Sequence, residues 1–140
     1  MNGIKNLKRV ALDSNLFIYN LEQNPRYTQF TDLIFGRLIS NQLKAVTSII
    51  TLTEILSYPK TEKVVRLITE DFLNTPNLQV IEVNQGIAVE AARIRREYAF
   101  RLPDAIQLAT ALTGKAQAFV TNDERLKKFQ QLPVIILTSQ

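Results

Sequence analysis

The sequence predicts an α/β fold, a three-layer α/β/α sandwich on a five-stranded, mostly parallel sheet, and three observations predict it. Five short apolar segments, RVAL (9–12), KAVTS (44–48), LQVIEV (78–83), AQAFVT (116–121) and PVIIL (133–137), have strand length and favour β-branched residues. Longer segments with helical spacing of apolar residues separate them, and such crossovers join parallel strands. Strands that are apolar on both faces need helices on both faces.

Each element follows in order. RVAL leads into a helix in SNLFIYNLEQ, and a second helix is expected from Arg26 to Ser40. KAVTS leads into the helix carrying Glu54, with Pro59 as its stop. Thr61 to Asn74 reads as another helix, ended before Pro76. After LQVIEV, Asn84 is the expected N-cap of a helix reaching about Ala99. In PDAIQLATALTG, Pro103 suits the first helical position and Gly114 a C-terminal stop. DERLKKF is a short helix between the last two strands. No repeat, low-complexity stretch or linker divides the chain, so residues 1–140 are expected to form a single domain in which only the first few residues fray.

Composition narrows the chemistry. The chain has no Cys, which excludes disulfides, thiolate nucleophiles and Cys-ligated zinc, and no His, which excludes an imidazole base or ligand. Catalysis would fall to carboxylates, Lys, Arg, hydroxyls and an oxygen-loving cation, which favours magnesium or manganese. A net charge of +4 leans toward polyanionic partners. No apolar run approaches the ~20 residues of a membrane span and none resembles a secretory leader, so the expected location is cytoplasmic.

The acids carry the functional signal. Between Ala45 and Pro59 the only charged residue is Glu54, in a segment that otherwise reads as buried. A buried carboxylate needs a donor, a cation or a metal. Ligands of open parallel sheets bind outside the carboxyl ends of the strands. Asp13 follows RVAL, Glu54 follows KAVTS and Asp123 follows AFVTN, so these three belong at that edge. The rule does not place Asp104, although it shares a core-facing stripe with Leu108, Ala111 and Leu112. Each acid also has a local reading. Asp13 and Asp123 could cap the helices that follow them, Thr51 to Glu54 matches a capping box, and Asp104 complements a helix dipole. A converged cluster would repel itself, by about 3 kcal/mol for two charges ~5 Å apart at a dielectric near 20, and a divalent cation would relieve that. Ser14, Asn15 and Thr121 could orient carboxylates or waters there, or serve only local turns.

The stretches LDSNLFIYNLE, TSIITLTEIL, LPDAIQLATAL and AFVTNDERL resemble, in order and over almost the whole chain, the PIN domain family of metal-dependent nucleases, and within it the VapC-type toxins of toxin–antitoxin pairs. The resemblance implies strand order 3-2-1-4-5 and a Mg2+- or Mn2+-dependent endoribonuclease. Its catalytic acids would be Asp13, Glu54, Asp104 and Asp123, with Asp13, Asp104 and Asp123 on the metal and Glu54 a ligand or a support for one. It also implies that Asp104 reaches the site, that an antitoxin is a partner, and that the protein is a homodimer.

Two other readings stay open. One is a non-catalytic PIN-like module that binds RNA or protein. The other is a phosphoryl-transfer protein. A haloacid-dehalogenase-type phosphatase wants a second Asp where Asn15 stands, a receiver domain wants an acid where Asn84 stands, and four glycines spell no phosphate-binding loop. Arg93, Arg95, Arg96 and Arg101 could guide a phosphate backbone, or form a solvated helix face with Glu90 and Glu97. Tyr98 and Phe100 are expected in the core.

Overall fold

The computed structural model describes residues 2–58 and 60–137. Strands β1 (Arg9–Leu12), β2 (Lys44–Ser48), β3 (Leu78–Ile81), β4 (Phe119–Thr121) and β5 (Val134–Ile136) form one sheet in the order β3-β2-β1-β4-β5, and every neighbouring pair is parallel. Side-chain alternation divides the core. Val10, Leu12, Ala45 and Val120 face a layer made by α1 (Ser14–Glu22), α2 (Thr28–Ile39), α3 (Ile50–Leu56) and α4 (Glu62–Leu73), where Leu16, Ile34, Leu38 and Phe72 are buried. Ala11, Val46 and Phe119 face α5 (Gln85–Tyr98) and α6 (Leu102–Thr113), through Ile87, Ala91, Ile94 and Leu108. Among the described residues no helix is long and apolar enough to cross a membrane.

The order of the elements is as expected, with local corrections. The strand at LQVIEV stops at Ile81, which pairs with Ser48, the last residue of β2. DERLKKF forms a 3-10 turn at Glu124–Lys128. Helix α6 starts at Leu102, placing Pro103 second. The expected capping box does not form. The N-cap of α3 is Ile49, the Ile50 amide donates instead to Ser48 Oγ at 3.2 Å, and Thr51 is fully buried. Of the first few residues expected to fray, Met1 lies outside the described residues, whereas Asn2–Ile4 make a 3-10 turn and Ile4 is fully buried, its carbonyl accepting from Arg37. Pro59, the expected stop of α3, lies outside the described residues.

Gly114 ends α6 for reasons of space. Its φ of −77° suits any residue, but a Cβ there would lie 3.1 Å from Ile81, Val46 and the Thr110 carbonyl. The left-handed conformation falls to Lys115, at φ 58°. Arg9 Nε donates to the Gly114 carbonyl at 2.6 Å, which fixes the end of α6 beside the start of β1. A helix of 12 residues is about 18 Å long, so the first turn of α6 comes out at the opposite, carboxyl edge of the sheet. Asp104 lies in that turn.

Candidate active site

Strand order reverses direction at β1, which has β2 on one side and β4 on the other, so the crevice beyond Leu12 and Thr121 is the fold's natural ligand site. Asp13 leaves β1 there, and only 5% of it is exposed. It is the N-cap of α1, with Oδ1 accepting from the Ser14 amide at 2.8 Å. Its Oδ2 accepts from the Thr121 hydroxyl at 2.6 Å and from Asn15 Nδ2 at 3.4 Å. Thr121 is fully buried and acts as a hub, since its Oγ1 also accepts from the Asp123 amide at 3.1 Å and from Asn15 Nδ2 at 3.4 Å. Asn15 Oδ1 in turn accepts from the Asn122 amide at 3.3 Å. Asn15 and Thr121 therefore tie the end of β1 to the end of β4, while Ser14 holds Asp13 locally through its amide.

Asp13 and Asp123 are caps and edge carboxylates at once. Asp123 caps the 3-10 turn by accepting from the Arg125 amide at 3.0 Å. Asp104, 9% exposed, projects from α6 toward them. One nitrogen, Arg125 Nη2, is shared by Asp104 Oδ2 at 3.4 Å and by Asp123 Oδ2, while Arg125 Nε donates to Asp123 Oδ1 at 2.9 Å. Arg101 Nε adds a contact of 3.4 Å to Asp104. Glu54 is half-buried on α3, and its Oε1 is shielded from solvent without a hydrogen-bond partner among the described residues.

Electrostatics tie the four acids together. Burial pushes the Asp13 carboxyl up to about 6. Hydrogen bonds from Thr121 and Ser14 pull it down, and the charges of Asp104 and Glu54 add to the rise. Burial likewise raises Glu54 and Asp104 adds to that rise; the Ser14 and Gln107 side chains lie close enough to pull it down, yet neither bonds Oε1. Asp104 is raised by burial against the pull of Arg101, while Asp123 is lowered by its hydrogen bond to Arg125. Burial is the largest cause of all three rises, and the acids' mutual repulsion adds to it even with Arg101 and Arg125 alongside.

The donor set fits an oxygen-liganded cation. Asp104 and Asp123 already converge on one positive centre, Glu54 holds a buried oxygen without a donor, and the nearby ligand atoms are all oxygen. As the side chains stand, no three acids among the described residues are arranged to ligate one ion together.

Sequence reasoning missed two residues. Arg125 is one, although it stands two positions after Asp123. Gln107 is the other, a buried polar residue three positions after Asp104 on the same helix. Gln107 Nε2 donates to Thr51 Oγ1 at 2.8 Å, Thr51 and Thr47 share a hydrogen bond of 2.7 Å, and Thr47 donates to the Leu12 carbonyl at 2.8 Å. The Ser48 amide donates back to Gln107 Oε1 at 3.3 Å. This chain joins α6 to the ends of β1 and β2 beneath the acids. A polar residue on an otherwise apolar stripe was the available signal.

The arginines singled out from sequence diverge. Arg93 is held by Glu90, Glu97 and Gln131, which places it on a salt-bridged helix face. Arg95 and Arg96 are exposed in the last turn of α5, and Arg101 pairs with Asp104. Tyr98 and Phe100 stack at 5.2 Å against Phe129 in the α5–α6 core.

Among known families, the sequence profile described as PIN domain matches residues 10–132. No curated protein matches in sequence. Among solved structures, the chain is similar to one in VapBC2 from Rickettsia felis bound to a DNA fragment from their promoter, at 19% identity and TM-score 0.72 over 92% of this chain and 98% of that one. It is similar to a chain in a toxin–antitoxin complex from Klebsiella pneumoniae, at 24% identity and TM-score 0.64 over 90% and 95%. VapBC-1 from nontypeable Haemophilus influenzae gives 20% identity and TM-score 0.65 over 91% and 97%. These likenesses concern the fold.

Proposed function

The chain belongs to the PIN domain family, and we propose that it is a magnesium- or manganese-dependent endoribonuclease, the toxin of a toxin–antitoxin pair. What supports this reading is that Asp104 and Asp123 share Arg125 Nη2 at the carboxyl edge of the sheet, and that the charges of Asp104 and Glu54 act on the buried Asp13. Asp13, Asp104 and Asp123 are the residues that would hold the cation, with Glu54 a further ligand or the support of one. When bound, that ion supplies Lewis-acid charge for hydrolysis of a phosphodiester. Thr121, Ser14 and Asn15 fix the Asp13 carboxylate in place, as outer groups do around ligating carboxylates. Arg95 and Arg96, exposed on α5, are proposed contacts for the RNA backbone.

The solved relatives named above are toxin–antitoxin complexes, which supports a protein antitoxin as partner here. A homodimer and a cytoplasmic location are proposed with it. The purified protein is expected to cleave structured RNA with magnesium or manganese and to stop when excess chelator is added. Cleavage that survives chelation would remove the metal from the mechanism. Failure to cut any RNA or DNA would favour a PIN-like binding module.

A further inference from the structure

We infer that Arg125 is an internal counter-cation that sets how tightly the carboxylate site holds its divalent ion, because its guanidinium lies between the two acids that the ion would share. This role presupposes the metal reading of Asp104 and Asp123 given above.

The contacts are specific. Arg125 Nη2 touches Asp104 Oδ2 at 3.4 Å and bonds Asp123 Oδ2, and Nε holds Asp123 Oδ1 at 2.9 Å. A single side chain thus links a carboxylate of α6 to one at the end of β4. The other arginines that reach across the fold are spent on scaffolding. Arg9 serves the Gly114 carbonyl and Gln79, while Arg37 serves the carbonyls of Ile4, Leu7 and Gln42. All the described polar contacts of the Arg125 side chain go to these two acids, and that side chain is 54% exposed, so it can leave without opening the core.

Chemistry makes guanidinium and metal alternatives. If a magnesium ion were held directly by Asp104 and Asp123, whose oxygens it would take at about 2.0–2.1 Å, a guanidinium nitrogen could not stay between the same two oxygens. The charge of Arg125 cannot be removed by deprotonation, so the ion enters by displacing the side chain. The site's affinity is then lower than the bare carboxylates would give, by the strength of the ion pairs that are broken. Arg101 also contacts Asp104, at 3.4 Å, but reaches no oxygen of Asp123, so it neutralises one acid without bridging the two.

The test is titration calorimetry of metal-stripped protein with manganese chloride, on the unaltered chain, Arg125→Met and Arg125→Lys. Met keeps the stem and removes the charge. Exposed ion pairs are weak, so the dissociation constant for manganese should fall by about two- to fivefold in Arg125→Met. Lys, a point charge without the planar fork, should lie between the two. Manganese binding in the unaltered chain with equal or weaker binding in Arg125→Met would overturn the role of Arg125 and leave the metal reading standing. No manganese binding by any of the three would overturn the metal reading, and this role with it.

Discussion

Replacing Asp104 by Asn is expected to slow RNA cleavage by about 10²- to 10³-fold, the usual cost of losing one well-placed electrostatic group at a reacting centre. The amide keeps the shape of the side chain and removes the charge that would hold the cation. The fold should survive. Asp104 is a first-turn acid whose favourable interaction with the helix dipole is worth only about 0.3–1 kcal/mol, and its ion pairs are with exposed arginines. Burial already raises its carboxyl, so a neutral group suits the position. Initial rates on one RNA, measured beside the melting temperature, separate lost chemistry from lost structure. Asp13→Asn and Glu54→Gln should also be severe, and Asp123→Asn milder, since its charge is already balanced by Arg125. Wild-type rates in all four amide variants would leave Asp13 and Asp123 as helix caps and place the reaction away from these acids.

Asp13→Asn is expected to make the metal-free protein more stable at neutral pH, against the usual direction for a buried hydrogen-bonded residue. The folded state moves the Asp13 carboxyl from its ordinary 3.8 to about 6, and at 1.36 kcal/mol per pH unit the ionised group costs about 3 kcal/mol at pH 7. The sign follows from proton binding. Between pH 4 and 6 the folded state holds the proton more tightly than the unfolded chain does. The contribution of Asp13 to stability is therefore fully present below about 4 and lost as pH rises through about 6. Asn should lack that loss. It caps α1 nearly as well, but its amide must rearrange with the Thr121 hydroxyl, which takes back about 1 kcal/mol. Urea midpoints at pH 4.5 and pH 7 without divalent ions measure both effects. A stability difference between the two proteins that does not grow from pH 4.5 to 7 would mean that Asp13 is not held as a strained carboxylate.

Much of this was legible from local pattern. The strands are short apolar runs between amphipathic helices, and Asp13 and Asp123 follow strands directly, so both the layers and the carboxyl edge could be read. Other features depend on contacts between distant segments. Strand order came from resemblance to the PIN family, because nothing in RVAL or AFVT chooses its neighbours. Asp104 reaches the site because α6 is pinned at both ends by distant segments, at Gly114 by Arg9 across 105 positions and at Gln107 by Thr51 and Ser48. The apparent capping box at Thr51 failed because burial on Thr47 and Gln107 engages that hydroxyl more completely than a helix end would. Gln107 and Arg125 were visible as residues but not as partners. What each does depends on carboxylates and hydroxyls brought in from other elements.

The central claim is that Asp13, Glu54, Asp104 and Asp123 form one cation site, and the melting temperature in manganese chloride tests it most directly. A ligand that binds only the folded state adds about 2.7 kcal/mol at a hundredfold excess over its dissociation constant, which for a chain of this size raises the melting temperature by on the order of 10 °C. The unaltered protein should show that gain, and the double variant Asp13→Asn/Asp104→Asn should gain little. An equal gain in both proteins would place the cation elsewhere and contradict the four-acid site.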